Sequence, residues 1–304
     1  MSDPFHSGEQ EIQERTGERH KALLNGRMIA GHIPLNAKTF LTQQQYCALG
    51  WVSSAGEIWA SFLTGRQGFA STDESGATLS LDFDNAAALR HHVPPVGEMR
   101  AGDQLGVLFI ELATRRRLRV NGPISELSSH GLRLTVAEAF PNCPKYIQRR
   151  ETNPQTAPLA STDIEHGENL NDELAALIAA ADTFFVASAH PDGRVDTSHR
   201  GGKPGFMKLQ NADLRIPDYP GNSMFGTLGN FLVNPRAGLV FVDFQSNRQL
   251  QLTGDVRLDL GAGERAGETG GTGRWWVFSP RRWIVSSLNR SLDWTPIDNS
   301  PFNP

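Results

Sequence analysis

Short apolar runs, separated by turns rich in glycine and serine, dominate the chain. The run at 105–112, LGVLFIEL, is almost continuously apolar, which predicts a strand buried on both faces. The run at 117–126 starts with alternating charged and apolar residues, which indicates a strand beside the one at 105–112 with one solvent-exposed face. Further strands are predicted at 50–54, 59–63, 78–83, 183–189, 194–198, 206–210, 213–216, 238–244 and 249–258, and as two short strands around Pro280 in 275–288.

Helical patterns are fewer. Residues 171–181, NDELAALIAAA, form the clearest one, because Asn171 can cap the first turn, acidic residues follow it and alanines fill the rest. The other expected helices are a polar helix at 9–24, a short helix at 42–49, a helix or turn within 131–150, and a helix at 223–233. The fold class expected from these patterns is β-rich (α+β), with short helices.

Changes in composition divide the 304 residues into four parts. Residues 1–33 form a helical N-terminal arm, and 34–150 form a first β-unit. Residues 151–168 are rich in proline, threonine, serine and acids, which is typical of a linker. A second β-unit follows at 169–304, and a length of 304 residues suits two domains.

Two blocks recur in the same order in both halves. Residues 106–122, GVLFIELATRRRLRVNG, align without gaps to 238–254, GLVFVDFQSNRQLQLTG. Residues 61–69, SFLTGRQGF, align to 198–206, SHRGGKPGF. Two matched blocks in one order indicate a duplicated β-unit, whose copies would pack on each other as subunits pack across a two-fold axis.

Charge and cysteine content narrow the function classes. A net charge of −4 argues against a dominant nucleic-acid surface. The two cysteines, Cys47 and Cys143, form no CxxC pair or Cys/His cluster, so no metal site is expected, and low cysteine use favours a reducing compartment. No apolar run is long enough to span a membrane and the N-terminus is polar, so we expect a cytoplasmic protein without membrane contact.

The strongest local candidate for chemistry is the segment 196–206, DTSHRGGKPGF. The planar fork of Arg200 matches phosphate oxygens, and Lys203 adds a point charge. Gly201 and Gly202 allow the backbone to approach a ligand closely. The segment is also compatible with a glycine-rich hairpin whose charges are merely solvated.

A second segment, PDYPGNS, precedes the helix expected at 223–233. Asn222 is placed to cap that helix, whose N-terminus is an anion site, and Asp218 and Ser223 lie beside it. The first copy has Leu63 opposite Arg200 and no similar segment. A phosphate is therefore expected in the second copy, with the first copy as its structural partner.

Three further features stay open at this point. The basic clusters TRRRLR at 114–119 and KYIQRR at 145–150 either reach a ligand held by the other half or are solvated ends of elements. His199 is either a site residue or an exposed strand histidine.

The second half, with DTSHRGGKPGFMKL, LRIPDYPGNSMFGTLGNFLVNPRAGLVFVDF and RQLQLTG, resembles flavin-nucleotide-binding proteins related to pyridoxamine 5′-phosphate oxidase. The first-half stretches FHSGEQEIQERTG, FLTGRQGF, TRRRLRVNG and NCPKYIQRR resemble a two-copy bacterial branch of that group. The resemblance implies tandem split β-barrels packed as an internal pseudo-dimer, with flavin mononucleotide (FMN) between them. It implies a cofactor-binding set of Ser198, Arg200, Gly201, Gly202, Lys203, Asp218, Asn222, Ser223 and Gln249.

The resemblance supports FMN more than a particular substrate. The C-terminal segment SLNRSLDWTPIDNSPFNP lacks the Arg/His arrangement with which the oxidase binds pyridoxamine phosphate. We expect an FMN-dependent oxidoreductase, with FMN favoured over deazaflavin, acting on a small molecule or a redox partner, and compatible with a homodimer. The catalytic residues are not identified. The alternatives are a flavin carrier or sensor without turnover, a haem-binding split barrel with His199 as the axial ligand, and a barrel that serves only as a scaffold.

Overall fold

The computed structural model describes residues 3–83, 98–128, 130–154, 164–261 and 266–304. Strands dominate and the helices are short, which confirms the predicted β-rich class. Within the described ranges, no helix has the length and apolar character that a membrane crossing requires. The helices are α1 (Ser7–Arg15), α2 (Arg19–Gly26), α3 (Lys38–Thr42), α4 (Asp172–Ala180) and α5 (Gly226–Val233), with 3-10 turns at Leu35–Ala37 and Ala266–Thr269.

The described residues form eighteen strands, which are numbered in chain order. In the first half they are β1 (Tyr46–Val52), β2 (Ile58–Thr64), β3 (Ala70–Thr72), β4 (Thr78–Asp82), β5 (Gln104–Glu111), β6 (Arg116–Leu127), β7 (Gly131–Thr135), β8 (Glu138–Pro141) and β9 (Arg149–Pro154). In the second half they are β10 (Glu165–Gly167), β11 (Thr183–Ala189), β12 (Val195–Gly201), β13 (Lys208–Gln210), β14 (Asp213–Pro217), β15 (Arg236–Asp243), β16 (Arg248–Asp259), β17 (Trp275–Ser287) and β18 (Leu292–Asp298).

The two halves have the same sheet topology. The first sheet has the order β2-β1-β5-β6-β7-β4-β3 and the second has β12-β11-β15-β16-β17-β14-β13, so adding ten to each strand number converts one into the other. An eighth strand joins each sheet, β8 beside β6 and β10 beside β17. The repeat seen in the sequence is therefore a repeat of three-dimensional units, as predicted.

Strand register gives the residue-by-residue equivalence of the copies. In the β1–β2 pair, Cys47 lies opposite Leu63. In the β11–β12 pair, Phe184 lies opposite Arg200. Cys47 and Phe184 are both the second residue of their strand, so Leu63 occupies the structural position of Arg200.

The continuously apolar strands are buried because each faces two cores. Along β5, Val107 and Phe109 pack into the core of the first copy. The alternate residues Leu108 and Ile110 pack into a separate core between the copies, where Phe185 of β11 also lies. Successive strand residues point to opposite faces, so a strand between two cores needs apolar residues at nearly every position.

Glycine allows the backbones of the two copies to approach each other. A Cβ atom added to Gly238 would lie 2.5 Å from the carbonyl carbon of Trp59, and one added to Gly106 would lie 2.9 Å from the carbonyl oxygen of Val195. Gly106 and Gly238 occupy the same place in the repeat. Each copy thus presses one strand against the same glycine of the other, which is the geometry of the predicted pseudo-dimer.

Side chains repeat this pseudosymmetric contact. Arg119 donates from Nε to the carbonyl oxygen of Thr197 at 2.9 Å and from its Nη2 to Ser198 Oγ at 2.6 Å. At the equivalent place, Gln251 Nε2 donates to the carbonyl oxygen of Ala60 at 3.0 Å and to Ser61 Oγ at 2.6 Å.

Some local predictions are confirmed and others are wrong. Helix α4 forms with Asn171 as its N-cap, accepting from Leu174 N. The single helix expected at 9–24 is instead α1 and α2, separated by a turn in which Gly17 has a φ of 70°. The segment 131–150 contains a turn at 145–146, as one of the two alternatives predicted, while β7 and β8 take the place of a helix because they pair with β4 and β6. The short helix expected at 42–49 is wrong, since the second half of that segment belongs to β1, which pairs with β2 and β5.

Other segments also differ from the sequence prediction. The expected linker starts within β9, which pairs with β18, and ends with β10, which pairs with β17. Its centre, 155–163, lies outside the described residues. The two short strands expected in 275–288 are one strand, β17, with a register shift where Pro280 faces Gly254, because a bulge can hold a proline that a regular ladder cannot.

We expect Gly238→Ala to lower the free energy of unfolding by about 2 kcal/mol or more, since the new methyl group would overlap backbone atoms that cannot move alone. Gly31→Ala is the matched control, because the nearest atom to its added Cβ is 3.9 Å away. Urea unfolding of both variants measures the difference. Equal stability of the two variants would contradict the close backbone packing.

Candidate functional site

A large pocket lies between the two copies. Its first-copy wall comes from β6, β8 and the residues that follow β8, and its second-copy wall comes from β12, residues 217–225 and the first turn of α5. The N-terminal arm adds Phe5, His6 and Glu9. A single chain therefore supplies every wall of this pocket.

One end of the pocket is basic, and we call it the basic end. It holds Arg117 and Arg119 of β6 and Arg200 of β12, which are close enough for their charges to act on one another. Arg119 is 7% exposed and forms an ion pair with Asp196 at 3.0 Å, whereas no salt bridge to Arg117 occurs within the described residues. Burial lowers the pKa of Arg117 to about 9, and the neighbouring Arg119 and Arg200 act in the same direction.

The basic end contains buried donors without acceptors. Arg117 Nε, Arg200 Nε and His199 Nε2 find no partner within the described part of the chain. His199 Nδ1 lies 3.3 Å from Arg117 Nη1, and because a guanidinium can only donate, Nδ1 accepts and the ring proton is assigned to Nε2. All three atoms are therefore donors, which is the arrangement that an anion would satisfy.

His199 is neutral in this setting. Its pKa lies well below the ordinary histidine value, mainly because the ring is buried and also because Arg117, Arg200 and Arg150 are close. A neutral ring leaves the positive charge of this end on the arginines. The alternative of an exposed strand histidine does not hold, since His199 is 7% exposed.

A chain of ion pairs holds Arg200 in place. Its Nη1 lies 3.2 Å from Asp218 Oδ1, and the other oxygen of Asp218 accepts from Arg274 Nε at 2.9 Å. Arg274 also pairs at 3.1 Å with Glu18, the residue that precedes α2, and Ser223 Oγ donates to the same carboxylate at 2.5 Å. Asp218 and Ser223 thus orient Arg200 through this network rather than offering themselves freely to a ligand.

A second part of the pocket lining is acidic and adjoins the basic end through the ion pair between Arg119 and Asp196; we call it the acidic end. Glu9 of the arm, Glu138 of β8 and Asp196 of β12 meet there around Asn121, whose Nδ2 donates to both Glu138 Oε2 and Asp196 Oδ1 at 3.3 Å. A Cβ added to Gly226, the first residue of α5, would lie 3.5 Å from an oxygen of both Glu9 and Asp196. The N-terminus of α5 thus faces these carboxylates and not Arg200.

Burial and the closeness of the carboxyl groups shift the pKa values at the acidic end. Burial raises the pKa of Glu9 to about 8, and the charges of Asp196 and Glu138 add to the effect. The pKa of Glu138 is also raised, again mainly by burial. Burial lowers the pKa of the adjacent His6 to about 4, assisted by His190 and Arg194. At neutral pH the acidic end therefore retains a proton on Glu9.

Aromatic side chains line the pocket as well. The rings of Tyr146 and Tyr219 lie 4.8 Å apart between centroids, and Phe206 lies 6.4 Å from Tyr219. Tyr146 OH donates to the carbonyl oxygen of Pro220 at 3.0 Å. The planes of Tyr146 and Phe206 are tilted from that of Tyr219 by 37° and 33°, and together the three rings offer aromatic surface to a ligand.

The structure brings together six of the nine residues expected from the sequence. Ser198, Arg200, Gly201, Asp218, Asn222 and Ser223 all line the pocket. Asn222 does not cap α5, because its Oδ1 accepts from Met224 N at 3.1 Å. Helix α5 begins only at Gly226, and its N-cap, Phe225, has a φ of 63°.

The other three expected residues, Gly202, Lys203 and Gln249, are not among the residues that line the pocket. Lys203 is exposed and donates to the carbonyl oxygen of Pro304 at 3.0 Å. Gly202 packs against the ring of Phe206. Gln249 lies at the pseudosymmetric position in the first copy, where its Oε1 accepts from Phe62 N at 2.8 Å, because strand β16 crosses toward the other copy.

Residues of the first half supply positive charges and an aromatic ring to the pocket. Of the two open basic clusters, TRRRLR contributes Arg117 and Arg119, and KYIQRR contributes Lys145 and Tyr146. The sequence signal for them was present but could not separate a ligand contact from a solvated charge. Glu9 had no sequence signal, since it looks like one more polar residue of a surface helix.

The pseudosymmetric position in the first copy differs in charge. Leu63 replaces Arg200 and Gln249 replaces Arg117, as strand register shows. Gln251, which replaces Arg119, is fully buried. An aliphatic and two amide side chains therefore take the places of three arginines.

The C-terminal part of the chain fills that second position. Thr64 occupies the place of Gly201, and its backbone N donates to Asn289 Oδ1 at 2.8 Å. Its hydroxyl donates to the carbonyl oxygen of Arg290 at 2.8 Å. The position around Arg200 is therefore an open pocket, whereas the equivalent position around Leu63 is occupied by the segment that contains Asn289 and Arg290.

Comparison with known proteins supports the family resemblance for one copy. A family model described as pyridoxamine 5′-phosphate oxidase matches residues 170–268. These residues lie in the second copy, and the resemblance seen in the sequence is confirmed there. Among curated proteins, none matches the chain.

Several solved structures resemble parts of the chain. A putative pyridoxamine 5′-phosphate oxidase from Lactobacillus delbrueckii is 16% identical, with 38% of this chain and 93% of that chain covered and a TM-score of 0.32. A FAD-binding protein from Mesorhizobium loti is 10% identical, covering 41% and 98%, with a TM-score of 0.29. The heme storage protein HutZ from Vibrio cholerae is 13% identical, covering 37% and 89%, with a TM-score of 0.27.

We expect Glu9→Gln to reduce the loss of stability at alkaline pH. The pKa of Glu9 is about 8 in the folded chain against an ordinary 4.5, so only the folded state binds this proton between those values and stability falls as pH rises through that range. His6, whose pKa is lowered to about 4 from 6.5, acts in the opposite direction and only below about pH 6.5.

The informative window therefore runs from about pH 6.5 to about pH 8. Across it, urea unfolding should show the wild type losing up to about 2 kcal/mol relative to Glu9→Gln. Parallel stability curves for the two proteins would contradict the assigned protonation of Glu9.

Proposed function

We propose that the chain binds one FMN in the pocket between its copies, with the phosphate at the basic end, and acts as a flavin-dependent oxidoreductase. The observation that carries this proposal is that three buried donors without acceptors in the described part of the chain, Arg117 Nε, Arg200 Nε and His199 Nε2, belong to residues that line one pocket. Because leaving such groups unsatisfied costs free energy, an anionic ligand would stabilise the arrangement.

The residues present fit the chemistry of FMN at both of its parts. A phosphate monoester carries up to two negative charges, and Arg117 and Arg200 offer planar forks that match its oxygens. Tyr146, Tyr219 and Phe206 provide an apolar surface suited to a planar ring.

When bound, the flavin supplies hydride and electron transfer, and the chain supplies position and electrostatics. Arg117 and Arg200 would bind the phosphate, while Asp218 orients Arg200 and Arg119 ties Ser198 to the first copy. The N-terminal arm would exclude water from the acidic end. Glu9 holds a proton at its carboxyl at neutral pH, so the chain has its own proton donor within the pocket.

The other candidate functions are distinguishable. A flavin carrier or sensor would bind FMN without turning over a substrate or redox partner, and deazaflavin would show its own absorption maximum in the same pocket. We do not propose pyridoxamine phosphate oxidation. Both walls of the pocket come from one chain, so the site does not require the homodimer that the sequence left open.

Haem is a second candidate because His199 Nε2 is buried, unpartnered and in the pocket. Axial ligation needs an unprotonated ring nitrogen. The contact of Arg117 with Nδ1 places the proton on Nε2 instead. Haem binding would therefore need this contact to break, which favours the flavin.

We expect Arg200→Ala to weaken FMN binding by at least about tenfold, since charge-assisted hydrogen bonds contribute about 1.5–3 kcal/mol. Lys203→Ala is the matched control: it removes a nearby exposed cation that lies outside the pocket and should change the affinity by less than about twofold. Flavin absorption of the purified proteins and FMN titration by fluorescence give both values. Equal losses in the two variants would contradict an Arg200 site, a colourless protein that takes up no FMN would contradict the proposal, and a Soret band would select haem.

We also expect one FMN per chain. Arg117→Gln introduces the residue type of the closed pseudosymmetric position and should weaken binding by about tenfold through loss of one cation. Flavin content per chain, measured after acid release, gives the stoichiometry. Two flavins per chain would show that the position around Leu63 and Gln249 is open after all.

A further inference from the structure

The acidic end of the pocket has no task in binding a phosphate. Glu9, Glu138 and Asp196 come from three different elements, α1, β8 and β12, and all three line the pocket. Asp196 pairs with Arg119, but Glu9 and Glu138 each retain one oxygen for which no hydrogen bond is seen within the described residues. Placing several carboxyl groups close together in a partly buried site raises the free energy of their ionised forms unless a positive charge compensates them.

Asn121 gives an independent indication that this end binds a ligand. It is 8% exposed, and its Nδ2 donates to Glu138 and Asp196. Because both of these partners are acceptors, the amide nitrogen is assigned to their side and the oxygen is left as the free acceptor of a residue that lines the pocket. Asn121 Oδ1 accepts no hydrogen bond within the described part of the chain. A buried acceptor beside carboxylates calls for a donor, and for one that carries positive charge.

A metal ion fits less well than an organic cation. In the described part of the chain, no group of three or more His, Cys, Asp and Glu side chains is arranged to hold a metal. The two basic residues beside this end are already paired, Arg119 with Asp196 at 3.0 Å and Arg194 with Asp192 through Nε at 2.9 Å. An ammonium group offers three donors in different directions, which suits one amide oxygen and two carboxylates.

We propose that the acidic end binds the protonated amine of a small organic cation, with Asn121 Oδ1 accepting from the ammonium and Glu9 and Glu138 neutralising its charge. That this cation is the substrate of the flavin reaction rests on the proposed function. The binding of the amine does not, since it depends only on residues at the acidic end. The pocket then has matched ends, donors for a phosphate and acceptors for an amine.

Proton release accompanies this binding. Four titratable or charged side chains face Glu9. They are His6 of the N-terminal arm, Glu138 of β8, Asp196 of β12 and Arg194, which directly precedes β12. The pKa of Glu9 is about 8 in the free protein, and a bound cation lowers it by favouring the carboxylate. The affinity for an amine therefore rises between about pH 6 and about pH 8.

The test is calorimetric titration of the full chain with benzylamine and with benzyl alcohol, which has a similar shape without the charge. Both are measured on the FMN-saturated protein and on the protein without FMN. We expect benzylamine to bind at least about tenfold more tightly than benzyl alcohol, in both forms, with an affinity that increases toward pH 8. Equal affinity for the two probes, or benzylamine binding that FMN abolishes, would overturn the inference.

Glu138→Gln is the informative variant, because it removes a charge while keeping the size of the side chain. It should weaken benzylamine binding at least about tenfold and change FMN affinity less than about twofold, which also shows that it folds. Glu126→Gln is the matched control, since Glu126 lies on β6 but is exposed and pairs with Arg133. An unchanged benzylamine affinity in Glu138→Gln would refute the site.

The two proposals fail separately. If benzylamine binds but FMN does not, the amine site stands and the proposed function is wrong. If FMN binds but benzylamine does not, the proposed function stands and the amine site is refuted.

Discussion

The close contact between β12 of the second copy and β5 and β6 of the first is the constraint on which the rest of the structure depends. Gly106 allows it, since any side chain at that position would overlap the backbone near Val195. The bonds from Arg119 to Thr197 and Ser198 then fix β6 against β12. Arg117, two residues earlier on the same face of β6, is thereby brought to His199 and Arg200. The basic end is a consequence of how the copies pack.

Duplication within one chain permits an asymmetry that a symmetric homodimer cannot have. In a two-fold dimer both equivalent positions carry the same residues. Here one position has three arginines, while the other has Leu63, Gln249 and Gln251. The second position is filled by hydrogen bonds from Thr64 to the segment that contains Asn289. One copy is thus free to serve as a wall and the other as the anion-binding half.

The pocket is lined by basic residues in one part and by acidic residues in another. Among the residues that the structure describes, its basic end offers donors without acceptors and its acidic end offers an acceptor, Asn121 Oδ1, without a donor. The N-terminal arm makes the second end, because α1 packs against α5 so closely that Gly8 and Gly229 admit no Cβ. Glu9, the residue after Gly8 in α1, therefore lies at the N-terminus of α5, where Asp196 also lies. A segment that looks like a surface helix therefore completes the site.

The sequence by itself determined the features that depend on short-range pattern: the β-rich class, the duplicated unit, the helix capped by Asn171 and the placement of Arg200 on a strand. Alternation, capping and repeats are local properties, so a single chain displays them directly. Only the tertiary structure decided that Arg117 and Glu9 belong to the pocket while Lys203 and Gln249 do not. Arg117 and His199 are 82 residues apart and Gln249 and Phe62 are 187 apart, and such contacts are set by the packing of the copies. A charge has the same local pattern whether it faces water or a ligand, and packing alone distinguishes the two.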